Sequence, residues 1–461
     1  RDAVAALETH ANDELKQQYL ARLTTGEWAA TMNLTEPQAG SDLSAVACRA
    51  ERDGDQFRIR GTKIYITWGD HELSDNVIHT VLARIDGAPD GVRGISMFLV
   101  PKFLLDENGE PGARNDVRAT SLEHKLGIHG SPTCVMNFGD NEGAVGYLIG
   151  EENKGLYAMF TMMNHARLEV GLQGVAMSER AYQLARSYAN DRVQGRVPGM
   201  EERAPIIHHA DVRRMLMLMR CQVEAMRALA YTAASQDDLE VRSADADARA
   251  AAGKRLSLLT PVVKGWCTET SEQVTSLGIQ IHGGMGFVEE TGAAQYYRDA
   301  RILTIYEGTS GIQAGDFAGR KILADEGREL SALISELRAL CDSMQGNDAL
   351  AGIAAAVRGG LDQLEEGMTW LIANAESGPA TTGAASFNLM MLAGTVLGGA
   401  YLAKSAAIAI SESSSANASF GEKKLATAAF YCAQVLPRAH GYLAATIADP
   451  DLTMAIAADA F

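Results

Sequence analysis

The sequence predicts an α+β protein with a central antiparallel β-sheet or small barrel, followed by a helical bundle and a further C-terminal helical layer. Between about residues 27 and 149, short β-rich runs alternate with turn residues, the clearest runs being 57–60, 76–82, 94–100 and 134–138. No stretch of helical period interrupts them. Strands that follow one another so directly favour antiparallel pairing.

Helical periodicity begins after Gly155, with amphipathic stretches at about 156–193, 206–236, 240–278, 290–304 and 309–324. A Met-rich stripe at 216–229 is typical of a bundle core. Later helices are interrupted at Gly378-Pro379 and by a Ser-rich segment at 411–419. The sequence therefore predicts four parts: a helical segment at 1–25, a β-domain at 26–150, a helical bundle at 151–325 and a helical extension at 326–461.

An apolar run at 389–403 is the longest in the chain. It is shorter than the ~20 residues that a membrane-spanning helix needs. It also contains Gly394, Gly398 and Gly399. The run therefore predicts a tightly packed interior helix and no membrane span.

Composition excludes several classes of protein. The net charge of −17 disfavours non-specific nucleic-acid binding, and 47% hydrophobic with 21% charged residues is ordinary for a globular protein. The six cysteines form no C-x-x-C pair. They indicate buried thiols of a reducing compartment such as the cytoplasm, with no disulfide framework and no metal site.

Three turns in the β-region combine small residues with hydroxyl groups. The segment 34–42 (L-T-E-P-Q-A-G-S-D) could cradle a pyrophosphate with its backbone N–H groups, although a simple capped turn explains it equally well. The segment 63–69 (K-I-Y-I-T-W-G) could stack an aromatic ring on a planar cofactor. The segment 126–133 is a further turn of this kind.

The helical region holds three more candidate segments. Arg167 and Arg192 lie on the first long helix, where surface cations are the usual interpretation. The segment 280–287 (Q-I-H-G-G-M-G-F) allows close backbone approach to a charged ligand, but it is not a Rossmann G-x-G-x-x-G motif. Glu307 is placed at the end of an apolar helical stretch, where a carboxylate opposes the helix dipole. That position favours a carboxylate that projects into a cavity.

Together and in this order, these segments resemble the acyl-CoA dehydrogenase family. The similarity is greatest to larger bacterial members with an extra C-terminal helical domain, such as the methylthiopropanoyl-CoA dehydrogenases. Residues 1–25 resemble the last helix of the family's N-terminal helical domain. Six motifs within residues 20–324 carry the resemblance: L-T-E-P-Q-A-G-S-D, K-I-Y-I-T-W-G, A-R-L-E-V-G, D-R-V-Q-G, Q-I-H-G-G-M-G-F and R-D-A-R-I-L-T-I-Y-E-G-T.

The resemblance implies FAD as the cofactor and Glu307 as the base that removes the α-proton of an acyl-CoA thioester. It implies substrate contacts at Ser41, Arg167 and Gly308. A dimer, or a dimer of dimers, is implied because four of the FAD contacts reach a partner subunit. The implied FAD contacts are Met32, Leu34, Thr35, Tyr65 and Thr67 around the ring, Ser41 at the pyrophosphate, Thr309 at the adenine half, and Arg192, Gln280, Gly283 and Gly284 toward the partner's FAD.

The implied reaction is α,β-dehydrogenation to the trans-2-enoyl-CoA, with hydride passing to flavin N5 and electrons to an electron-transfer flavoprotein. A carboxylate with a pKa of ~4.3 is too weak a base for this step, so we expect an apolar acyl chain to desolvate Glu307 and strengthen it. The expected substrate is 3-methylthiopropanoyl-CoA or a medium-chain acyl-CoA. Two alternatives are an acyl-CoA oxidase and a non-enzymatic DNA-binding flavoprotein of the same fold; the acidic charge counts against the second.

Overall fold

The computed structural model describes residues 2–412 and 418–461, and the chain divides into two compact units, residues 1–166 and 167–461. The four-part division expected from the sequence stays a prediction. The Ser-rich segment at 411–419 falls largely outside the described residues.

A helical stretch opens the first unit. It consists of α1 (Asp2–His10), α2 (Asp13–Leu15), a π-helical turn (Lys16–Leu20) and α3 (Ala21–Thr25). Helix α3 ends at Gly26, whose φ of 81° is a left-handed conformation that glycine adopts without strain. Leu7, Leu15 and Tyr19 are buried in the same hydrophobic cluster as the strands that follow. The helical segment therefore shares one core with the sheet.

The sheet domain expected after this helix is confirmed, with a difference in strand direction. The strands are β1 (Ala29–Asn33), β2 (Arg49–Asp53), β3 (Gln56–Thr67), β4 (Val77–Ile85), β5 (Ile95–Pro101), β6 (Phe103–Leu105), β7 (Pro111–Arg114), β8 (Val117–Leu122), β9 (Thr133–Phe138) and β10 (Ala144–Ile149). Strands β1 and β2 both pair with β4 in parallel, whereas the other pairings in the eight-stranded sheet are antiparallel. The sheet order is β1-β4-β5-β10-β3-β9-β8, with β2 beside β3 and β4. A strand's own residues show which face is buried but not which distant strand it joins.

Long helices form the second unit, close to where the sequence predicts them. Helix α4 (Gly155–Asp191) begins in the first unit and continues through the second. A short antiparallel pair, β11 (Val193–Arg196) and β12 (Arg203–Pro205), follows it. The remaining helices are α5 (Ala210–Arg242), α6 (Ala246–His282), α7 (Ala293–Arg301), α8 (Ser310–Gly315, continued by a π-helix Asp316–Ile322), α9 (Arg328–Met344), α10 (Asp348–Asn374), α11 (Thr381–Ser411), α12 (Ala418–Gln434) and α13 (Arg438–Thr446).

One hydrophobic cluster runs through the whole second unit, from Leu168 to Leu443. The predicted Met-rich stripe is confirmed as core, because Met219, Met226 and Leu229 on α5 are fully buried. The C-terminal helices α9 to α13 contribute to the same cluster as α4 to α6. The extension is therefore packed into the bundle as part of one core.

Helix α11 contains the apolar run singled out in the sequence. Within the described residues it is the one helix long and apolar enough to cross a membrane, and 89% of its apolar window is buried inside the fold. Gly394 and Gly398 of α11 face Trp266 of α6, and a Cβ at Gly394 would lie 2.1 Å from the indole Cγ. The helix is therefore the packed interior helix that its glycines predict.

Candidate active site

A buried ion pair supports the loop at 34–42 in the first unit. Lys63 Nζ donates to Glu36 Oε1 at 2.7 Å and to the Leu34 carbonyl at 2.9 Å, and both side chains are buried. Glu36 also accepts from the backbone N–H groups of Ala47 and Cys48. Burial alone would raise the pKa of Glu36, but the charge of Lys63 and these hydrogen bonds lower it overall. The ion pair between Glu36 and Lys63 therefore joins the 34–42 loop to β3.

The end of β3 is irregular where the sequence predicts a cofactor-stacking aromatic group. Tyr65 (φ 62°) and Trp68 (φ 53°) both have left-handed backbones, and the register between β3 and β9 shifts between Lys63 and Ile66. The Tyr65 side chain is 61% exposed. Because non-glycine residues adopt this conformation at a cost of about 1–3 kcal/mol, they tend to persist where function requires them.

These two segments bring the predicted ring contacts of the first unit together. Ile64 N–H donates to the Thr35 carbonyl at 2.9 Å, which joins the 34–42 loop to the 63–69 segment. Met32, Leu34 and Thr35 are partly buried, and Tyr65 and Thr67 are exposed. Ser41 is exposed at the far end of the loop.

A polar network lies on the buried side of β1 and β4. Thr31 Oγ1 lies 2.6 Å from His79 Nδ1, and Asn33 donates to Thr31 Oγ1 at 2.8 Å. Complete burial lowers the pKa of His79 to about 3, so the ring is neutral at physiological pH. A neutral, hydrogen-bonded network of this kind fixes the backbone of β1 without burying a charge.

Glu307 lies on a corner in the second unit, and here the structure corrects the sequence-based expectation. Helix α7 ends at Arg301, and a 3₁₀ turn (Ile302–Thr304) follows, so Glu307 does not end a helix. It has a left-handed backbone with φ 55°, and Gly308 follows with φ 90°. The expected opposition to a helix dipole is therefore wrong. The sharp turn itself projects the carboxylate.

Gln313 holds this corner from α8. Its Nε2 atom donates to the carbonyl oxygens of Glu307 at 3.2 Å and of Gly308 at 3.3 Å. A Cβ added to Gly308 would lie 2.7 Å from the same Nε2 atom. Thr309 caps α8, because its side chain accepts from the Ile312 N–H at 3.2 Å. Hydrogen bonds from Gln313 and the Thr309 cap therefore hold the backbone that follows the Glu307 side chain.

Arg167 lies beside the corner and is not the surface cation that helix position alone suggests. It is buried, and its Nη1 atom lies 3.6 Å from Asp316 Oδ2. Burial lowers the pKa of Arg167, while the charges of Asp316 and Glu307 oppose that effect. Nη2 would lie 3.6 Å from a Cβ at Gly308. The structure therefore brings Arg167, Glu307, Gly308 and Thr309 together.

The other predicted FAD contacts of the second unit lie elsewhere. The end of α4 and the end of α6 are neighbours, since the rings of Tyr188 and His282 are 4.4 Å apart. Arg192 follows Tyr188, and Gln280, Gly283 and Gly284 surround His282. At 1.5 Å per helical residue, Gln280 is roughly 24 Å along α6 from Lys264, which faces the Glu307 corner. These residues therefore form a second group at the ends of α4 and α6, apart from Lys264.

Sequence reasoning missed two buried charged residues, Lys264 and Asp316. It also missed that Lys63 is the ion-pair partner of Glu36. Lys264 carries a signal that could have been found, because it is a lone charge within the apolar run 258–267. Asp316 carries none, since its pairing with Arg167 joins distant parts of the chain. No group of three metal-ligating side chains occurs within residues 2–412 and 418–461.

One cavity of the first unit holds none of the predicted site residues. It has a volume of about 1190 Å³ and is lined by residues that include His10, Asn12, Tyr147, Lys154 and Tyr157. Its walls come from α1, α2, β10 and the start of α4. This cavity is therefore separate from the turns at 34–42 and 63–69.

Three family models cover most of the chain, in the order that the fold shows. Residues 31–141 match "Acyl-CoA dehydrogenase, middle domain", and residues 153–322 match "Acyl-CoA dehydrogenase, C-terminal domain". Residues 333–457 match "Acetyl-CoA dehydrogenase C-terminal like". The chain therefore belongs to the acyl-CoA dehydrogenase family, a class of oxidoreductases that act on CH–CH bonds.

Within that class, the chain is 49% identical over 439 residues to 3-methylmercaptopropionyl-CoA dehydrogenase of Ruegeria pomeroyi, covering 94% of this chain and 74% of that protein. It is 36% identical over 456 residues to the broad-specificity linear acyl-CoA dehydrogenase FadE5 of Mycobacterium tuberculosis, covering 93% and 73% respectively. Among solved structures, Caenorhabditis elegans ACDH-11 in complex with C11-CoA superposes with a TM-score of 0.79 at 25% identity, covering 94% of this chain and 70% of that one. The predicted likeness to larger members is confirmed.

FAD is the cofactor of this family, and the residues present fit it. Tyr65 offers an exposed ring on a strained backbone beside the 34–42 loop. No heavy atom of the described residues lies within 4 Å of a Cβ added at Gly283 or Gly284, so a phosphate group could approach their backbone closely. The exposed Arg192 could pair with such an anion.

Proposed function

We propose that this protein dehydrogenates an acyl-CoA thioester to the trans-2-enoyl-CoA, with Glu307 as the base. The observation that carries the proposal is the Glu307 corner. A half-buried carboxylate has a left-handed backbone at φ 55°, is followed by Gly308, and has the buried Arg167 beside it. A corner so strained, in the middle of a family motif, is expected where a side chain must be held in one direction.

Each residue of the corner has a part in the proposed reaction. Glu307 takes the α-proton of the thioester as general base. Gln313 fixes the peptide on both sides of Gly308, which limits the directions in which the carboxylate can point. Arg167 supplies a positive charge close to the base and helps to hold the CoA thioester. When bound, FAD accepts the hydride that leaves the β-carbon.

For the substrate we propose 3-methylthiopropanoyl-CoA, on the strength of 49% identity to the Ruegeria pomeroyi enzyme named for that activity. Straight-chain acyl-CoA thioesters are the second candidate, because the Mycobacterium tuberculosis relative is named as a broad-specificity linear acyl-CoA dehydrogenase. Comparing kcat/KM for 3-methylthiopropanoyl-CoA with butyryl-CoA and octanoyl-CoA separates the two. A preference for either straight chain would overturn the first choice.

We further propose that electrons leave to an electron-transfer flavoprotein and that the enzyme is a dimer or a dimer of dimers. The location of Gln280, Gly283 and Gly284 supports an oligomer, since they lie at the far end of α6 from Lys264 and the Glu307 corner. Hydrogen peroxide formed in proportion to substrate, with no added acceptor, would instead identify an acyl-CoA oxidase.

The Glu307→Gln variant tests the base directly. The amide keeps the size of the side chain but cannot take a proton, so we expect FAD content to be unchanged. Flavin reduction by acyl-CoA should fall by at least about 100-fold. The measurement is loss of flavin absorbance under anaerobic single-turnover conditions.

Glu326→Gln is the matched control. Glu326 is also a glutamate with a left-handed backbone in the second unit, with φ 58°, and it is exposed. This variant should reduce its flavin at the wild-type rate. More than a tenth of the wild-type rate in Glu307→Gln would show that another group is the base.

A further inference from the structure

Lys264 is a buried cation that the proposed reaction does not yet use. It lies on α6 between apolar residues, and its side chain is fully buried. Its Nζ atom has no hydrogen-bond partner among the described residues. Burying an ammonium without hydrogen bonds carries a free-energy cost, so stability alone does not explain a lysine at this position.

The surroundings of Lys264 are those of the Glu307 corner. On one side, a Cβ at Gly265 would lie 3.5 Å from Gln313 Cβ, and Gln313 is the residue that binds the Glu307 and Gly308 carbonyls. One turn further along α6, Glu269 accepts a hydrogen bond from Ser310 Oγ at 2.5 Å. Helix α6 therefore packs against the 307–313 segment.

Three charged groups act on Lys264. Burial lowers its pKa to about 8, the carboxylates of Glu307 and Glu269 raise it, and the guanidinium of Arg167 lowers it. Asp316 acts indirectly, because it pairs with Arg167. Helix α11 also packs against α6 here, with the apolar Met390 beside Gly265. Lys264 thus remains largely protonated at neutral pH because of the carboxylates near it.

We propose that Lys264 is a positioning residue for the base: its buried ammonium keeps the Glu307 carboxylate ionised in the free enzyme. The inference rests on the proposed role of Glu307. Electrostatic coupling is reciprocal, so if Glu307 favours the charged form of Lys264, Lys264 favours the charged form of Glu307 by the same free energy. Glu307 is then already ionised when the acyl chain binds and displaces water from its carboxylate.

The Lys264→Met variant tests this coupling. Methionine has a similar length and no charge, so the carboxylate of Glu307 loses its neighbouring cation while the packing is kept. The acidic limb of kcat/KM, which reports the base of the free enzyme, should move up by about one pH unit. Below that limb the variant should be about ten-fold slower than the wild-type enzyme.

Lys321→Met is the matched control. Lys321 is also partly buried in the second unit, and its Nζ atom donates to Ser257 Oγ at 2.6 Å. Its charged neighbours are Asp316, Arg320 and Arg167, and Glu307 is not among them. This variant should keep the wild-type pH profile.

A measurement that does not depend on turnover separates this role from a structural one. If the ammonium serves the base, the FAD-loaded Lys264→Met protein should resist urea at least as well as wild type at pH 7. Wild-type stability should also rise between pH 8 and about 10.4, since the unfolded chain binds the Lys264 proton more tightly over that range. The variant should lack this component of the rise.

The outcomes are distinct. An unchanged acidic limb in a folded Lys264→Met protein overturns the inference, and so does a variant that fails to fold or loses FAD, because the cation would then be structural. If Glu307→Gln remains active in the same assays, the assignment of the base fails instead. If Glu307→Gln is inactive and the Lys264→Met profile is unshifted, the base stands and only the inference is lost.

Discussion

Individual residues with strained backbones mark the functional segments of this protein. Six non-glycine residues have positive φ within the described chain, and four of them lie in motifs singled out from the sequence: Tyr65, Trp68, Ile128 and Glu307. Two of these four are bulky aromatic residues and one is β-branched, which are the types that adopt this conformation least readily. The strain at these four positions is therefore evidence for function that is independent of family resemblance.

The buried pair Lys63–Glu36 supports a prediction at the same scale. Lys63→Met leaves the Glu36 carboxylate buried with no cation, so the free energy of unfolding should fall by about 3–5 kcal/mol. Urea unfolding at pH 7 measures the change. The double variant Lys63→Met with Glu36→Gln should recover part of the loss, because no uncompensated charge remains. A single variant as stable as wild type would mean that water or another cation replaces Lys63.

The loop at 34–42 also shows how far a motif predicts its own structure. Its residues predicted a turn, but they fitted a pyrophosphate-binding turn and a plain capped turn equally well. Only the tertiary structure shows that Glu36 is an anchor, because its partner Lys63 comes from β3 and its other donors from residues 47 and 48. Contacts between distant positions leave no local pattern to read.

At the scale of elements, close packing of α6 and α11 depends on glycine. Gly394→Ala should destabilise the protein by about 1–3 kcal/mol, since its Cβ would lie 2.1 Å from Trp266 Cγ in a core that cannot expand freely. Gly383→Ala on the same helix is the matched control. In the part of the chain that the structure describes, nothing lies within 4 Å of a Cβ there, so alanine should be neutral or stabilising by up to about 1 kcal/mol.

Thermal unfolding of the two alanine variants distinguishes packing from helix propensity. If both variants shift the midpoint of thermal unfolding equally, close packing against Trp266 is not the reason for glycine at position 394. The sequence predicted the existence, type and approximate bounds of these helices because their apolar periodicity is long and regular. It did not predict the contact between Gly394 and Trp266, because that contact depends on which face of α11 packs against α6.

At the scale of the whole molecule, the location of the Gln280–Gly284 segment predicts that each site needs two chains. Gly284→Leu should fold normally, since none of the residues that the structure describes has a heavy atom within 4 Å of a Cβ at that position. The leucine side chain should nevertheless prevent close approach of a pyrophosphate. The variant should therefore lose FAD while keeping wild-type helicity. Gly346→Leu, at another open position outside the motif, should keep its FAD.

Mixing two inactive variants tests the shared site more sharply. In a mixed dimer, the Gly284→Leu chain supplies an intact Glu307 and the Glu307→Gln chain supplies an intact Gly284 segment. If the segment serves the partner's FAD, unfolding and refolding the two together should restore roughly a quarter of wild-type activity by random pairing. No restoration would place both groups in a site built from a single chain.

The sequence by itself determined the class of fold and the order of its parts, because these depend on local periodicity and on contiguous motifs. The same motifs carry the family resemblance from which Glu307 is proposed as the base. Tertiary structure alone decided the parallel pairings of β4, the buried pairs Lys63–Glu36 and Arg167–Asp316, and the place of Lys264 beneath the Glu307 corner. The physical reason is the same in each case. Strand pairing, burial and charge coupling act between groups that are distant in sequence, and they exist only once the chain has folded.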